Sequence, residues 1–304
     1  MRVGVIHNPR SHRNRARSPG PVSPDVIHAA PDTPEALARA LEAMAEAKVD
    51  LLIVDGGDGT LRDVVTRAWP AFEGRLPLLA VVPHGKTNVL ARDLGLPARW
   101  SVEAAMAAAR SLANRTSRPM LEVTRDGDGD NVPALRGFVF GTGAYVGATR
   151  MATGAHRIGI IDSLAVGAAL IGAVFSTAFG GAQGVGAGER LALALDGSAS
   201  ETRQRFLILA STLERFPLKF RPFGRPRPGL KLLDVDAPPR RLIPALVAIL
   251  AGGEPIWLER AGYRRHTPQA VSLHGLEAFV LDGEVYPGGH VTMRQGPAFT
   301  FVTA

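Results

Sequence analysis

The stretch DLLIVDGGDGTLRDVVTRAW, residues 50–69, restricts the fold more than any other part of the chain. DLLIV is an apolar run suited to the centre of a parallel sheet, and LRDVVTRAW sets Leu61, Val64, Val65 and Ala68 on one helical face. The loop between them, Asp55-Gly56-Gly57-Asp58-Gly59-Thr60, therefore stands at the carboxyl end of a strand and the amino end of a helix. There, free N–H groups and the helix dipole make an anion site, and glycine lets a phosphate approach the backbone. Aspartates repel a phosphate unless a cation lies between them. Asp58 thus points to Mg²⁺, held directly or through water, and to a magnesium nucleotide as ligand. A tight turn with acidic residues capping a helix is the other reading of the same residues.

A second stretch, VVPHGKTNVLARDLGLP at residues 81–97, again runs from an apolar strand through a polar glycine loop into a helix. Gly85-Lys86-Thr87 is not a P-loop, because that pattern requires glycine where this chain has Ala80. Lys86 and Thr87 still offer donors to a phosphate, and Asn88 is placed to brace the two loops against each other.

The chain has 304 residues, more than one hydrophobic core usually serves, and 46% of them are hydrophobic. Over the first 120 residues, β-type runs (RVGVI, DLLIV, PLLAVV) alternate with alanine-rich helical stretches, which indicates βα units and a mostly parallel sheet. From about Leu121 the texture turns to strand-like runs separated by turns, as in an antiparallel sandwich or barrel. The expected division is 1–120 for an α/β ATP-binding domain and 121–304 for a β-sandwich lipid-binding domain, with the last strand free to return to the first. Cysteine is absent, which excludes disulfides, thiolate metal sites and a cysteine nucleophile. The N-terminus MRVGVIHNPR has no long apolar run and reads as a first strand, so a cytoplasmic protein is expected. A formal charge of +7 favours anionic partners without choosing among them.

The two glycine loops together carry a resemblance. GGDGT followed by P-x-G-x-x-N-x-x-A-R resembles the catalytic domain of the diacylglycerol kinase, sphingosine kinase and ceramide kinase family. The strand exit His7-Asn8-Pro9-Arg10-Ser11, the segment FVFGTGAYVGA at 138–148 and LDGE at 281–284 agree with it. The resemblance implies an N-terminal α/β domain of the NAD kinase and phosphofructokinase kind, a C-terminal antiparallel β-sandwich, and ATP with Mg²⁺ as cofactors. It also implies that Asn8, Pro9, Arg10, Ser11, Thr33, Gly56, Gly57, Asp58, Gly59 and Thr60 hold ATP, joined by Gly85, Lys86, Thr87 and Asn88. The LDGE stretch reaches back to finish the site. Asp282 is then the expected base on the lipid hydroxyl, with Glu284 the close alternative; either carboxylate suits in-line phosphoryl transfer to an alcohol. Without the resemblance, Asp282-Gly283 reads as a hairpin turn.

Two positions depart from the family pattern. Lys86 stands where most relatives have threonine directly after the glycine. Before Leu232, where bacterial relatives commonly carry an Asp-Gly pair supporting a structural magnesium, this chain reads Arg227-Pro228-Gly229-Leu230-Lys231. That accessory metal site is expected to be absent, with Lys231 as a local cationic substitute.

The substrate class implies a lipid substrate and an anionic membrane surface, hence a cytoplasmic protein peripheral at the inner membrane face. Residues 163–188 carry no charged side chain and are long enough to span a bilayer, although their glycines and polar residues favour a buried or interfacial helix. Residues 215–231 mix arginines and lysines with three phenylalanines, so Lys219, Arg221, Phe223, Arg225 and Arg227 are expected to meet headgroups. The basic tract 10–17 lies beside the expected triphosphate and can serve ATP instead. No nucleic-acid reader motif is present, and homo-oligomerisation is left open. The functional expectation is an ATP-dependent lipid kinase acting on the primary hydroxyl of a two-chain lipid, diacylglycerol or ceramide and its sphingoid kin. The alternatives are an NAD kinase-like small-molecule kinase, which should show an Asn-Glu pair that residues 120–150 lack, and a non-catalytic lipid- or nucleotide-binding relative.

Overall fold

The computed structural model describes residues 1–14, 26–97, 99–129, 132–156 and 188–304, with the backbone alone for 151–156. The uncharged segment at 163–187 and residues 15–17 of the basic tract lie outside the described residues. The chain forms two compact units. The first holds Met1–Met120 with Pro133–Arg136 and Pro297–Ala304; the second holds Leu121–Val132 and Gly137–Gly296.

In the first unit, β1 (Val3–His7), β2 (Val26–Ala29), β3 (Leu51–Gly56) and β4 (Leu78–Pro83) are all parallel, in the order β2-β1-β3-β4. The free edge of β4 takes Phe301, from the end of the long strand β13 (Glu284–Val302), in parallel register with Leu79. β3 is buried along its whole length, as a strand covered on both faces must be. One face packs Val3, Val5, Leu51, Ile53, Ala80 and Val82 against Trp100, Ala105 and Ala109, the last two in or beside α4 (Val102–Ala108). The helices α1 (Pro34–Glu46) and α2 (Asp58–Ala71) pack on each other and bury Leu41, Met44, Leu61, Val64 and Val65. The face expected for α2 is the one buried. β2 was not expected from sequence, being a short edge strand with little burial.

After the second glycine loop comes α3 (Val89–Asp93), whose last residue, Asp93, is fully buried and accepts Arg118 Nε at 2.6 Å. Arg118 belongs to β5 (Arg115–Arg125), so this ion pair anchors the helix that follows the loop.

In the second unit, hydrogen bonding runs without a break through antiparallel partners. β12 (Ala270–Leu281) pairs with β13 on one side; on the other it meets β7 (Val139–Thr142) at one end and β8 (Glu189–Leu195) at the other. Both of these also pair with β9 (Glu201–Ser211), followed outward by β10 (Lys231–Asp236) and β11 (Tyr263–His266). The short β6 (Leu135–Gly137) pairs with β5. Helix α5 (Ala144–His156) follows β7, while α6 (Leu242–Leu250) and α7 (Ile256–Arg260) set Ala245, Ile249 and Leu258 into a core with Phe206, Phe223, Leu233 and Val235. The parallel first unit and antiparallel second unit agree with the expected fold class at that level. Among the described residues no helix is long and apolar enough to cross a membrane.

Removing one member of a buried ion pair strands the other charge, so Arg118→Ala should lower stability by about 3–5 kcal/mol. Urea unfolding measures the loss, and a change under about 1 kcal/mol would mean Asp93 finds sufficient other partners.

Candidate active site

Strands β1, β3 and β4 end side by side, and each delivers a polar residue just before its loop. Asp55 is the last residue but one of β3 and is 7% exposed. One of its carboxylate oxygens lies 2.7 Å from His7 Nδ1 and the other 2.5 Å from His84 Nδ1, while Asn14 Nδ2 donates to it at 3.1 Å. Each imidazole must carry its proton on Nδ1 to donate. Asn8 N–H then donates to Asp55 O at 3.0 Å, and His84 N–H to Gly56 O at 3.0 Å. One carboxylate thereby fixes three loop starts relative to one another. Sequence reasoning passed over His7, Asn14, Asp55 and His84 as site residues, although a polar group at the end of each of three apolar strands was a signal available to it.

Asn8 makes the first turn. Its Oδ1 accepts from Arg10 N–H at 2.9 Å and its Nδ2 donates to Thr60 Oγ1 at 2.7 Å, joining the β1 exit to the GGDGT loop. Ser11 is buried, with its N–H on Asn8 O. Asn8, Pro9, Arg10, Thr33 and Thr60 line one cleft of about 180 Å³, which Asp63 and Arg67 complete. Thr33 also caps α1, its Oγ1 accepting from Ala36 N–H at 3.1 Å. Asp63 and Arg67, one helical turn apart on α2, were not expected.

Helix α2 begins at Asp58 with Gly57 as N-cap and no side-chain cap, so its first N–H groups are open to an anion. Gly57 and Gly85 meet backbone to backbone: a Cβ on Gly85 would lie 2.4 Å from Gly57 Cα. Asp58 completes the clamp. Its carboxylate accepts Val89 N–H at 2.9 Å and Leu90 N–H at 3.3 Å, capping α3 across the gap. Burial pushes its carboxyl above the ordinary value, against the pull of those N–H donors. Both oxygens thus serve backbone N–H groups of α3. Among the described residues no group of three acidic or histidine side chains is gathered to hold a metal. Asn88 braces its own loop rather than the pair, with Oδ1 on Gly85 N–H at 3.0 Å and Nδ2 on Gly85 O at 2.8 Å. Lys86 and Thr87 lie half-buried on that loop, beside Gly85.

In the second unit, Asp282 and Gly283 are the central residues of the β12–β13 hairpin, at φ 47° and 83°, as a primed two-residue turn requires. The Asp282 carboxylate accepts Val139 N–H at 2.9 Å and Phe138 N–H at 3.1 Å. Gly137 has no room for a Cβ, which would lie 2.6 Å from Asp282 Oδ2. Glu284 is exposed.

The basic stretch divides. Lys219, Arg221, Arg225 and Arg227 are exposed, but Arg227 reaches Glu254 at 3.3 Å and Arg225 approaches it at 4.0 Å. Phe223 is only 5% exposed and packs against Phe216 at 5.6 Å, so its ring serves the core. Lys231, also buried, donates through Nζ to Gly229 O at 3.0 Å and Arg227 O at 3.3 Å. Its ammonium thus gathers carbonyl oxygens as a hard cation does.

A parallel sheet whose strand ends carry glycine loops, one of them opening a helix without a side-chain cap, is an α/β arrangement suited to an anion. Residues 2–121 match the family model described as diacylglycerol kinase catalytic domain. A curated diacylglycerol kinase of Bacillus subtilis (strain 168) is 40% identical over 82 residues, which are 27% of this chain and 25% of that protein. The aligned stretch thus spans a quarter of the relative's length. A solved structure of a diacylglycerol kinase from Bacillus anthracis str. Sterne superposes with a TM-score of 0.62 at 16% identity, over 100% of this chain and 97% of that one. A second structure from that organism, given the same name provisionally, reaches 0.68 at 18% identity with the same coverage. At such identities the likeness is one of fold. The match to the diacylglycerol kinase catalytic-domain model thus covers residues 2–121, and for the remainder of the chain the likeness is to the fold of the solved structures.

Asp58→Ala should strand two backbone donors and cost about 2–4 kcal/mol, read by urea unfolding. Because the folded carboxyl titrates above its ordinary value near 4, this group's contribution falls as pH rises from that value through the raised one. Asp58→Asn, measured without nucleotide or divalent cation, should therefore flatten the loss of stability over that window; an unchanged slope would count against the burial argument.

Proposed function

We propose that the protein is a lipid kinase that transfers the γ-phosphoryl group of ATP to the primary hydroxyl of a two-chain lipid, diacylglycerol or ceramide and its sphingoid relatives, at a membrane surface. The observation that carries this reading is the GGDGT loop, which opens an uncapped α2 and lies against Gly85 within the stretch matched by the family model. Open N–H groups of α2 suit the phosphates, with Arg10, Lys86 and Arg67 as cationic neighbours. Asn8, Pro9, Thr33 and Thr60 shape the cleft beside them, Ser11 lies buried behind Asn8, and Asn88 holds the second loop on which Thr87 stands. Mg²⁺ would arrive with the nucleotide, and Asp58 would hold it directly or through water. When bound, it neutralises charge on the transferred group.

The chemistry requires one acceptor O–H. Its oxygen forms a bond to the γ-phosphorus, the bridging P–O bond breaks, ADP leaves, and the proton passes to a carboxylate. Asp282 is the proposed base. Two backbone N–H donors and the hairpin together fix its direction. Glu284 is the alternative: exposed and nearby in sequence, but less rigidly aimed.

The decisive assay supplies labelled ATP, Mg²⁺ and micelles of diacylglycerol, ceramide, sphingosine or monoacylglycerol in separate reactions. Label in a single lipid class names the substrate; label in none, with ATP binding intact, rejects the lipid-kinase reading. Asp282→Asn should lower kcat by roughly 10²–10⁴ with ATP affinity retained. Near-normal turnover in that variant would transfer the role to Glu284, and Glu284→Gln would then be the deficient one.

A further inference from the structure

Four arginines converge on one cavity of the second unit, and the acids around them are already spent. The cavity, about 400 Å³, is lined by Arg203, Arg240, Arg260 and Arg264 with Asp236. Arg264 holds Asp236 through both terminal nitrogens, at 2.8 and 2.7 Å, which keeps that carboxyl below its ordinary value. Arg203 pairs with Glu201 and lies 3.9 Å from the same Asp236. Arg240 and Arg260 have no carboxylate within ion-pairing distance among the described residues, so the cavity carries uncompensated positive charge. Helix α6 starts immediately after it. Its N-cap, Arg241, provides no side-chain cap, so the positive end of the helix adds to the field.

The neighbouring surface is apolar. The helix α6 reads LIPALVAIL, and a helix apolar all round is ordinarily buried on every side. Here Ala245 and Ile249 are buried, while Ile243 and Val247, one turn apart, are 49% and 65% exposed. On α7, Leu258 faces the same core as Ala245 and Ile249, and Ile256 is 72% exposed. Ile256 stands four residues before Arg260, hence on the same helical face. The bond from Gly253 N–H to Ala248 O, 2.8 Å, ties the link between the two helices back onto α6.

Exposed branched apolar residues beside free guanidiniums fit a ligand with an anionic head and an apolar body. We propose that this surface docks an anionic phospholipid of a membrane: the guanidiniums of Arg240 and Arg260 receive the phosphate, and Ile243, Val247 and Ile256 enter the acyl layer. The cations attract the leaflet and the apolar residues hold the contact once it forms. A soluble phosphate ester leaves the three apolar residues in water, and a second copy of this chain brings its own arginines against these. The inference rests on the lipid-kinase reading for its partner, and it moves the docking surface from the 215–231 stretch, where Phe223 is buried, to α6 and α7.

The test is co-sedimentation of the full chain with phosphatidylcholine vesicles, with and without phosphatidylglycerol. Arg240→Gln/Arg260→Gln should weaken binding to the phosphatidylglycerol vesicles about twenty-five-fold, taking about fivefold per basic residue. Ile243→Ser/Val247→Ser/Ile256→Ser should weaken binding to both vesicle types; all three positions are exposed, so folding survives. Both variants should phosphorylate a short-chain diacylglycerol in solution as wild type does. Unchanged vesicle binding in both variants overturns the proposal. So does a loss confined to Lys219→Gln/Arg221→Gln/Arg225→Gln/Arg227→Gln, which returns docking to the basic stretch. Inorganic phosphate that abolishes vesicle binding while the serine variant binds normally makes the cavity a soluble-anion site. A dimer that the serine variant dissociates without changing vesicle binding makes the face a self-contact. If no lipid accepts phosphate from ATP but both variants still lose vesicle binding, the kinase reading fails and the docking surface stands.

Discussion

The contact between Gly57 and Gly85 governs the first unit's working end. Two loops that each follow a buried parallel strand approach until no side-chain atom fits between their backbones. Such proximity exposes both loops' amides to one small volume, and it would be unstable if the helix ends it leaves behind were unsatisfied. Asp58 resolves this by standing at the start of one helix in sequence and capping another in space. Asp55, three residues earlier, does the same work at the strand ends with His7 and His84. Two carboxylates in one acidic loop thus hold backbone and imidazole N–H groups, and their charge is spent on the loops themselves.

The second unit uses buried charge to shape turns. Asp282 ties a hairpin tip to the start of β7, and Lys231 gathers the carbonyls of the turn that precedes β10. Arg205, fully buried, reaches Asp234 at 3.1 Å and the carbonyls of Leu191 and Glu201, so one guanidinium links three strands. In a sheet with short strands and many turns, backbone groups outnumber ladder partners, and long cationic side chains satisfy the remainder.

The parallel order of the first strands and the position of both glycine loops were legible because apolar runs and helix-start chemistry are local signals. The open start of α2 followed from GGDGT alone. What stayed hidden depended on partners distant in sequence. His84 and Asp55 are 29 residues apart and His7 lies 48 from Asp55, so their meeting follows from strand order rather than from any motif. Asn88 was expected to join the two loops, but its short side chain satisfies its own turn first, leaving Asp58 to bridge them. Phe223, in a stretch that reads as a cationic-aromatic surface, was drawn into the core because Phe216 and α6 bury it. Helix α6 shows the opposite difficulty: a run of apolar residues does not reveal which of them face outward.

The strand β13 has a bearing on how the first unit comes into being. Its 19 residues begin in the second unit, and its last turn of pairing, Phe301 on Leu79, fills the edge of β4. The sheet that carries the glycine loops is therefore made of segments that leave the ribosome more than two hundred residues apart. During that interval β4 presents a bare, apolar edge of the sort that recruits stray strands. Completion of the first unit's sheet accordingly waits for synthesis of the other unit, a delay imposed by the order of the chain alone.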